Sequence, residues 1–335
     1  MCKILMLFQD SNLPSSRVRV LNLVPELTRH GFNVTAIPYP KNVSDKINLI
    51  SKLKNFEVVF LQKKLLTQME YYCLRRFSKL LLFDFDDAIY IKDDNASQSF
   101  SRTRLQRFKY IVKKADLVIA GNPGLGLFAS QYNARITILP SAVPVTAVCV
   151  RDWSKQHERP VIGWVGGGGN LHHLAMIAPA LQAVAKDVNF ELRVVSDKEF
   201  HLEGVTVNNI LWKLETQEAE IANFDIGIMP MPKNQWTEGK CSYKLLQYMA
   251  AGVPVVASNW GFNNEVINNG ENGFLAGSND EFGTVLKYLL DNKVLCSEIG
   301  TKGRSLVERD FSLESVGRKL ASALTAIINI TEEKV

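Results

Sequence analysis

Four consecutive glycines, Gly166 to Gly169, stand out first among the residues whose type and spacing could do chemistry. They follow the apolar run PVIGWV and precede LHHLAMIAPALQAVAKD, whose apolar spacing is helical. Glycine loses about 0.5–1 kcal/mol relative to alanine in ordered structure, so four in a row need a reason. A glycine turn before a helix presents backbone N–H groups to an anion such as a phosphate, and we expect Gly166, Gly167 and Gly168 to do so. The alternative is a turn needed only for tight packing of strand and helix.

Two lysines, Lys240 and Lys244, lie four residues apart in WTEGKCSYKLLQYMAAG. We predict a helix from about Cys241 to Ala251, with both ammonium groups on one face near its amino terminus. Cations at that end oppose the helix dipole, so an anionic partner such as a diphosphate would make the arrangement favourable. A solvated lysine face explains the spacing equally well.

Three carboxylates, Asp84, Asp86 and Asp87, end the predicted strand KLLLFDF. Open α/β sheets bind ligands at the carboxyl ends of their strands, and strand alternation puts Asp84 and Asp86 on one side. For Asp84 we predict a structural role, as a helix cap or the ion-pair partner of an arginine. For Asp86 and Asp87 we predict acceptor binding or catalysis. His172 and His173 are predicted to begin a helix beside the glycines, because no third metal ligand is evident in the sequence.

A basic stretch, FSRTRLQRFKYIVKKA, covers residues 100–115 and contains no acidic residue. Its apolar side chains have helical spacing, so it is either an amphipathic helix that rests on anionic lipid or a surface helix whose apolar stripe faces the core. Its cations are Arg102, Arg104, Arg107, Lys109, Lys113 and Lys114.

The composition is that of a globular protein, with 335 residues of which 46% are hydrophobic and 22% charged. The length predicts two domains. Asp10 interrupts the apolar start, and no run approaches the roughly 20 residues of a membrane span, so we expect neither a span nor a secretory signal. The five scattered cysteines are typical of reduced thiols in a cytosolic protein. Residues 1–150 carry 21 Lys and Arg against 11 Asp and Glu, and residues 151–335 carry 18 against 23, so the halves differ in charge sign.

Short aliphatic runs alternate with longer amphipathic stretches, which is typical of βα units and predicts an α/β fold with parallel sheets. Prolines and a polar stretch between residues 140 and 160 interrupt this rhythm and place a domain boundary there, giving domains 1–150 and 151–335. The pattern becomes helical after residue 278. The predicted strands are 3–8, 33–38, 57–62, 79–85, 116–121 and 135–140, then runs within 160–170, 190–196, 205–211, 224–230 and 253–258, and the first-half helices are near 17–30, 65–78 and 100–115.

The segment KLLQYMAAGVPVVAS, followed by GFNNEVI and ENGFLA, resembles the carboxy-terminal block of the retaining glycosyltransferases of family 4, the glycosyl transferases group 1. DIGIMPMP, RDFSLESVGRKL and SSRVRVLNLVPELTRHGFNV are similar to other family segments, and FDFDDAIY and ADLVIAGNPGL resemble one branch. The resemblance covers most of the chain. It implies the GT-B architecture, in which two Rossmann-like doubly wound domains face a central cleft and a C-terminal helix packs back toward the first domain. The first domain would bind the acceptor and the second the nucleotide sugar.

The resemblance also implies roles for individual residues. The family's E-x7-E motif falls on Gly239 and Gln247, so neither glutamate is present, although Glu238 lies one residue away. Gln247 can still hydrogen-bond a donor ribose. The family's basic pair has no counterpart in GGGGNLHHL, so the lysines and glycine amides would stabilise the leaving diphosphate. The expected catalytic residues are Lys240, Lys244, Asp86 and Asp87, and the expected donor-binding residues are Gly166, Gly167, Gly168, Glu238, Ser242 and Gln247.

These observations favour a glycosyltransferase that moves a sugar from a nucleotide-diphosphate sugar to a hydroxyl of a saccharide or lipid-linked acceptor, in polysaccharide or glycolipid synthesis. Retention is implied by the resemblance. No cofactor or metal is expected, since FDFDDAIY differs from the metal-binding D-x-D of the other glycosyltransferase fold. We expect a cytoplasmic protein, peripheral at an anionic inner membrane face, and no nucleic-acid partner, because no binding module is present. Two alternatives are a non-catalytic nucleotide-sugar binder, consistent with the missing glutamates, and a nucleotide-sugar epimerase on the same scaffold.

Overall fold

A computed structural model describes residues 1–155 and 157–332 and divides the chain into two compact units. The first unit contains Met1–Ala142, Gly239–Cys241 and the segment that begins at Ser312. The second contains Val143–Glu238 and Ser242–Phe311. These ranges differ from the predicted 1–150 and 151–335, because residues after Ala142 already belong to the core of the second unit. Val143 is buried there, and its N–H donates to the carbonyl of Phe311.

The first unit is built on a six-stranded parallel sheet with strand order β2-β1-β3-β4-β5-β6. Its central strands are buried along their whole length, and this explains why their sequences are apolar without alternation. The strands are β1 (Lys3–Phe8), β2 (Asn33–Pro38), β3 (Val58–Gln62), β4 (Leu80–Phe85), β5 (Leu117–Ala120) and β6 (Ile136–Ile138), and the helices are α1 (Pro14–Arg19), α2 (Val24–Arg29), α3 (Val43–Lys52), α4 (Gln68–Phe77), α5 (Arg102–Lys114) and α6 (Pro123–Ser130).

The second unit has its own six-stranded parallel sheet, with order β12-β11-β10-β7-β8-β9. This order reverses between β7 and β10, the point at which doubly wound sheets hold ligands. The strands are β7 (Val161–Val165), β8 (Glu191–Ser196), β9 (Thr206–Leu211), β10 (Ile226–Met229), β11 (Val255–Ser258) and β12 (Phe274–Ala276), and the helices are α7 (Leu171–Ala175), α8 (Ala178–Ala185), α9 (Gln217–Ala222), α10 (Gln235–Glu238), α11 (Tyr243–Ala250), α12 (Asn263–Val266), α13 (Asn279–Leu290) and α14 (Lys293–Asp310).

The last helix, α15 (Leu313–Glu332), packs against α2 within the first unit. Gly317 makes this approach possible, since a Cβ there would lie 2.5 Å from the Cβ of Glu26. Val316, Leu320 and Leu324 are buried in the same core as β1 and β3. The expected return of a C-terminal helix to the first domain is therefore confirmed.

The α/β prediction is confirmed, and the differences lie mainly in helix boundaries. The predicted helix near 17–30 is two helices separated by a 3-10 turn at Leu21–Leu23, and the second of them restarts with Pro25 in its first turn. Proline has no N–H to donate but fits the first turn of a helix, which explains the break at this point. Within the described residues, no helix combines the length and apolar character that a membrane span requires.

Candidate active site

The glycine run lies at the reversal point of the second sheet, directly after β7. The N–H of Gly166 donates to the carbonyl of Val195 at 3.0 Å, and the N–H of Gly168 donates to the Asp197 carboxylate. That backbone hydrogen bond is the main reason why the pKa of Asp197 is lowered. The predicted presentation of all three amides to an anion is therefore wrong for Gly166, whose N–H is used by the carbonyl of Val195. The Gly168 amide holds a carboxylate oxygen, the type of acceptor that a phosphate also offers.

Lys244 brings a positive charge to the same loop. Its ammonium nitrogen lies 4.2 Å from the centroid of the Trp164 ring, at the end of β7, in a cation–π contact. A Cβ at Gly166 would lie 2.4 Å from that nitrogen, so a larger residue there would require the ammonium group to move. The structure therefore brings together the predicted Gly166 and Lys244, and it adds Trp164, which sequence reasoning missed.

Helix α11 begins sharply, because Ser242 precedes it in the left-handed region with φ of 51°. A non-glycine residue held there costs about 1–3 kcal/mol and must be fixed by its surroundings. The Ser242 hydroxyl donates to Asn263 Oδ1 at 2.7 Å, and the Asn263 amide donates to the carbonyl of Ser258 at 3.0 Å. Ser242 and Asn263 are both buried. The predicted donor-binding Ser242 thus anchors the start of α11 in this structure.

The remaining donor candidates lie on either side of this turn. Gln247 is half-buried on α11, three residues after Lys244 and hence on the same face. Glu238 is exposed at the end of α10. Gly167 and Gly168 lie in the loop, where a Cβ at Gly168 would meet the Lys198 side chain at 2.5 Å and a Cβ at Gly167 would meet nothing closer than 3.9 Å.

Lys240 does not lie on the helix that carries Lys244. The predicted helix with Lys240 and Lys244 on one face is wrong, since α11 starts at Tyr243 and the left-handed Ser242 turns the preceding residues away from the helical path. Lys240 belongs to the first unit, where its ammonium nitrogen lies 3.2 Å from Asp87 Oδ1. Its carbonyl accepts from the Asn122 side chain at 3.0 Å. The two lysines therefore serve different units.

In the first unit, Asp86 and Asp87 form an ion network with two lysines. Lys63 Nζ lies 2.9 Å from Asp86 Oδ1 and also pairs with Oδ2 of Asp87. Lys240 pairs with the other carboxylate oxygen of Asp87, Oδ1. Burial raises the pKa of Asp87, but the charges of Lys240 and Lys63 outweigh it and bring the pKa to about 2. Burial lowers the pKa of Lys63, but the two carboxylates reverse this and raise it. Both carboxylates are thus held with their counter-charges.

Lys63 was missed by sequence reasoning, although it follows the predicted strand EVVFLQ directly and the strand-end rule could have found it. Its φ of 58° places it in the left-handed region, and its N–H donates to the carbonyl of Asp84 at 2.6 Å. Strained residues of this kind cluster at functional sites.

Asp84 has the structural role predicted for it. Arg19 holds it through two hydrogen bonds, with Nε 3.2 Å from Oδ2, and also donates from Nη1 to the carbonyl of Leu139 at 2.6 Å. Both side chains are almost fully buried. Burial lowers the pKa of Arg19, but Asp84 outweighs it and raises the pKa.

The basic stretch forms α5, whose apolar side faces the core, as the second interpretation required. Phe108 is fully buried and lies in edge contact with Phe85, at 5.0 Å between ring centroids. Arg104 and Arg107 donate to the carbonyls of Ile91 and Leu65. The remaining exposed cations of the helix are Arg102, Lys113 and Lys114.

Two parallel six-stranded sheets with helices define the class: the chain has the fold of the GT-B glycosyltransferases. Sucrose-phosphate synthase from Thermosynechococcus elongatus superimposes with a TM-score of 0.75 at 14% identity, over 98% of this chain and 100% of that one. Anabaena HepE in complex with UDP and glucose gives 0.72 at 15%, over 97% and 100%. A glycosyltransferase from Rickettsia africae gives 0.74 at 14%, over 98% of both chains.

The match to a sequence family covers a shorter part of the chain than the structural matches do. Residues 159–292 match the model of the family described as glycosyl transferases group 1. This range runs from the start of β7 beyond the end of α13, and so includes the glycine loop and α11. The predicted resemblance to group 1 glycosyltransferases is therefore confirmed for this part of the chain. No curated protein sequence matches the chain.

Proposed function

We propose that this protein is a retaining glycosyltransferase of the family 4 type, which moves a sugar from a nucleotide-diphosphate sugar to a hydroxyl group. The second unit would hold the donor, with Lys244 and the Gly167 amide at the diphosphate and Gln247 at the ribose, while the Gly166 and Gly168 amides donate to Val195 and Asp197. The first unit would hold the acceptor near Asp86 and Asp87. The family match over residues 159–292 supports the donor assignment.

One observation carries the proposal: the Lys244 ammonium packs against Gly166 at the reversal point of the second sheet. Positive charge and backbone donors at this point fit a group that gains negative charge as the glycosidic bond to the diphosphate breaks. The chemistry then needs a stabilised leaving group rather than a protein nucleophile. Structures of HepE contain UDP and UDP-glucose, which supports a uridine nucleotide as the first donor to test.

The two glutamates of the E-x7-E motif are replaced by Gly239 and Gln247 in this chain. Gln247 keeps the hydrogen-bonding capacity of the second one without its charge. Glu238 lies next to Gly239, where the first would fall, and is exposed. We propose that Glu238 supplies the missing carboxylate and that Lys244 makes a metal ion unnecessary, so that activity persists in the presence of a chelator.

Two features of the first unit would serve an acceptor. Ionised Asp86 and Asp87 can accept hydrogen bonds from the hydroxyl groups of a saccharide. The exposed cations of α5 would attract the anionic membrane in which a lipid-linked acceptor lies. Sedimentation with vesicles that contain anionic lipid, with neutral vesicles as the control, tests this last point.

The decisive variant is Lys244→Ala. We expect kcat/KM for sugar transfer from UDP-sugars to fall by about 100- to 1,000-fold, as for the loss of one transition-state charge partner. Calorimetry should show weaker UDP binding and unchanged uridine binding, because the ammonium serves the phosphates. Lys302→Ala, an exposed lysine of α14, is the matched control and should retain both.

Other results would redirect the assignment. If UDP and other nucleoside diphosphates do not bind, the donor site proposed here is wrong. Binding without turnover, with any acceptor, would favour the non-catalytic binder. Interconversion of the nucleotide sugar without transfer would favour the epimerase.

A further inference from the structure

A cavity of about 390 Å³ lies in the second unit at the amino-terminal ends of its strands. Its walls include Pro160, directly before β7, and Asp225, directly before β10. The glycine loop follows the other end of β7, whose five residues span about 16 Å at ~3.3 Å each. The cavity is therefore separate from the proposed donor site.

A hydrogen-bonded cluster fixes one wall of this cavity. Asp225 Oδ1 accepts from Arg151 Nη2 at 2.8 Å, and Oδ2 accepts from the N–H of Val161 at 2.8 Å and lies 2.8 Å from His157 Nδ1. Burial raises the pKa of Asp225, but the hydrogen bonds from His157 and Arg151 outweigh it, so that the pKa is lowered. These contacts hold the wall rigid at the start of β7 and β10.

The cavity carries more positive than negative charge. Three cations, Arg151, Lys155 and Lys293, line it together with two carboxylates, Asp225 and Glu298. Lys155 is 79% exposed, and its ion pair with Asp152 at 3.3 Å is a surface pair of small energy. Its ammonium group can therefore turn toward an anion in the cavity at little cost.

Arg151 forms a buried part of the cavity wall and, within the described part of the chain, has one unsatisfied donor. It lines the cavity and is 6% exposed, yet its Nε has no hydrogen-bond partner among the residues that the structure describes. Buried donors in native proteins nearly always have a partner. The Nε atom is itself enclosed, so the guanidinium group would have to turn before an acceptor oxygen in the cavity could reach it.

The other walls distinguish a sugar from a simple anion. The Trp153 ring lines the cavity, and the Arg151 guanidinium lies over it, 5.1 Å from the ring centroid. The part of the ring that the guanidinium leaves uncovered would offer an apolar surface to a pyranose ring. Ser297 and Glu298 in the first two turns of α14 offer partners for ring hydroxyls. A carboxylate would repel a highly charged nucleotide but accepts hydrogen bonds from hydroxyls. The volume is at the lower end of the range for small-molecule sites.

We propose that this cavity binds a monosaccharide phosphate, with the phosphate at Lys155 and Lys293, the ring against Trp153 and the hydroxyls at Ser297 and Glu298. The site does not depend on the proposed function, since it shares no residue with the donor site.

Calorimetric titration of the full chain with glucose 6-phosphate tests the proposal. We expect saturable binding at millimolar concentrations or below, and about tenfold weaker binding in Lys155→Ala and in Lys293→Ala, as for the loss of one charged hydrogen bond. Lys302→Ala, on α14 but outside the cavity, is the matched control and should bind normally. Glucose, which lacks the phosphate, and glycerol 3-phosphate, which lacks the ring, should each bind at least about tenfold more weakly.

Trp153→Ala should also weaken binding. If Trp153→Ala does not fold, Lys155→Ala still tests the proposal, because Lys155 is exposed and its loss should not affect folding. No binding of glucose 6-phosphate at millimolar concentrations would overturn the proposal. So would binding that neither lysine variant weakens, or binding that UDP displaces. Failure of this site would leave UDP affinity and its loss in Lys244→Ala unchanged, so the two proposals stand or fall separately.

Discussion

Charged side chains lie at the carboxyl ends of both sheets, and different contacts stabilise them in the two units. In the first unit, Arg19 lies against Asp84, and Lys63 and Lys240 lie against Asp86 and Asp87. In the second, the ammonium group of one lysine lies over an indole ring and against a glycine backbone. The first arrangement balances charge within the protein, and it suits a site that hydrogen-bonds neutral hydroxyls. The second places a positive charge beside the glycine loop, and positive charge suits an anionic ligand.

The largest effect should come from breaking a balanced pair. Arg19→Met leaves the Asp84 carboxylate buried without its counter-charge, and we expect a loss of about 3–5 kcal/mol in the free energy of unfolding. Urea unfolding followed by circular dichroism measures it. The double variant Arg19→Met/Asp84→Leu should recover most of the loss, because it removes the unpaired charge. If the double variant is no more stable than the single one, the pair is not the source of the effect.

A smaller effect concerns the pH dependence of the same network. The pKa of Asp87 is about 2 in the folded protein and ordinarily 3.8, so its ionisation stabilises the fold above pH 4, and this stabilisation is lost as the pH falls from about 4 to 2. The shift corresponds to about 2 kcal/mol. Asp87→Asn should therefore lose about that amount at pH 7, and its deficit relative to the parent should shrink toward pH 2. A deficit that is the same at pH 7 and pH 2 would show that charge is not responsible.

The sequence predicted the architecture because its signal is local. Aliphatic runs such as EVVFLQ and VPVVAS are strands in the structure within a few residues of their predicted bounds. The glycine loop was also placed correctly, after β7, because a turn between a strand and a helix is determined by consecutive residues.

The partners of the charged residues could not be predicted in the same way. Arg19 and Asp84 are 65 residues apart, and Lys240 and Asp87 are 153 apart, so only the folded chain decides which cation meets which carboxylate. The separation of Lys240 from Lys244 depends on one backbone angle, since a left-handed Ser242 is not encoded by any propensity of serine. Trp164 was not recognised because its indole ring becomes relevant only when Lys244 lies over it.

The smallest predicted effect is a loss of UDP affinity when one methyl group is added at Gly166. It tests whether Lys244 must lie beside the glycine loop of the second unit. A Cβ at Gly166 would lie 2.4 Å from Lys244 Nζ and 2.7 Å from the Trp164 ring, so Gly166→Ala must displace the ammonium group. We expect UDP affinity to fall by about tenfold, because the charge no longer lies beside the loop. Calorimetry of UDP binding measures this change.

Gly167→Ala is the matched control for that variant, since it adds the same methyl group one residue later. Its Cβ would have no neighbour closer than Asp197 Oδ1 at 3.9 Å, and neither glycine has a positive φ, so backbone strain does not distinguish the two. UDP affinity should therefore change little in Gly167→Ala. Equal losses in both variants would mean that any side chain in this loop interferes with UDP, and the position of Lys244 would then no longer distinguish the second unit from the first.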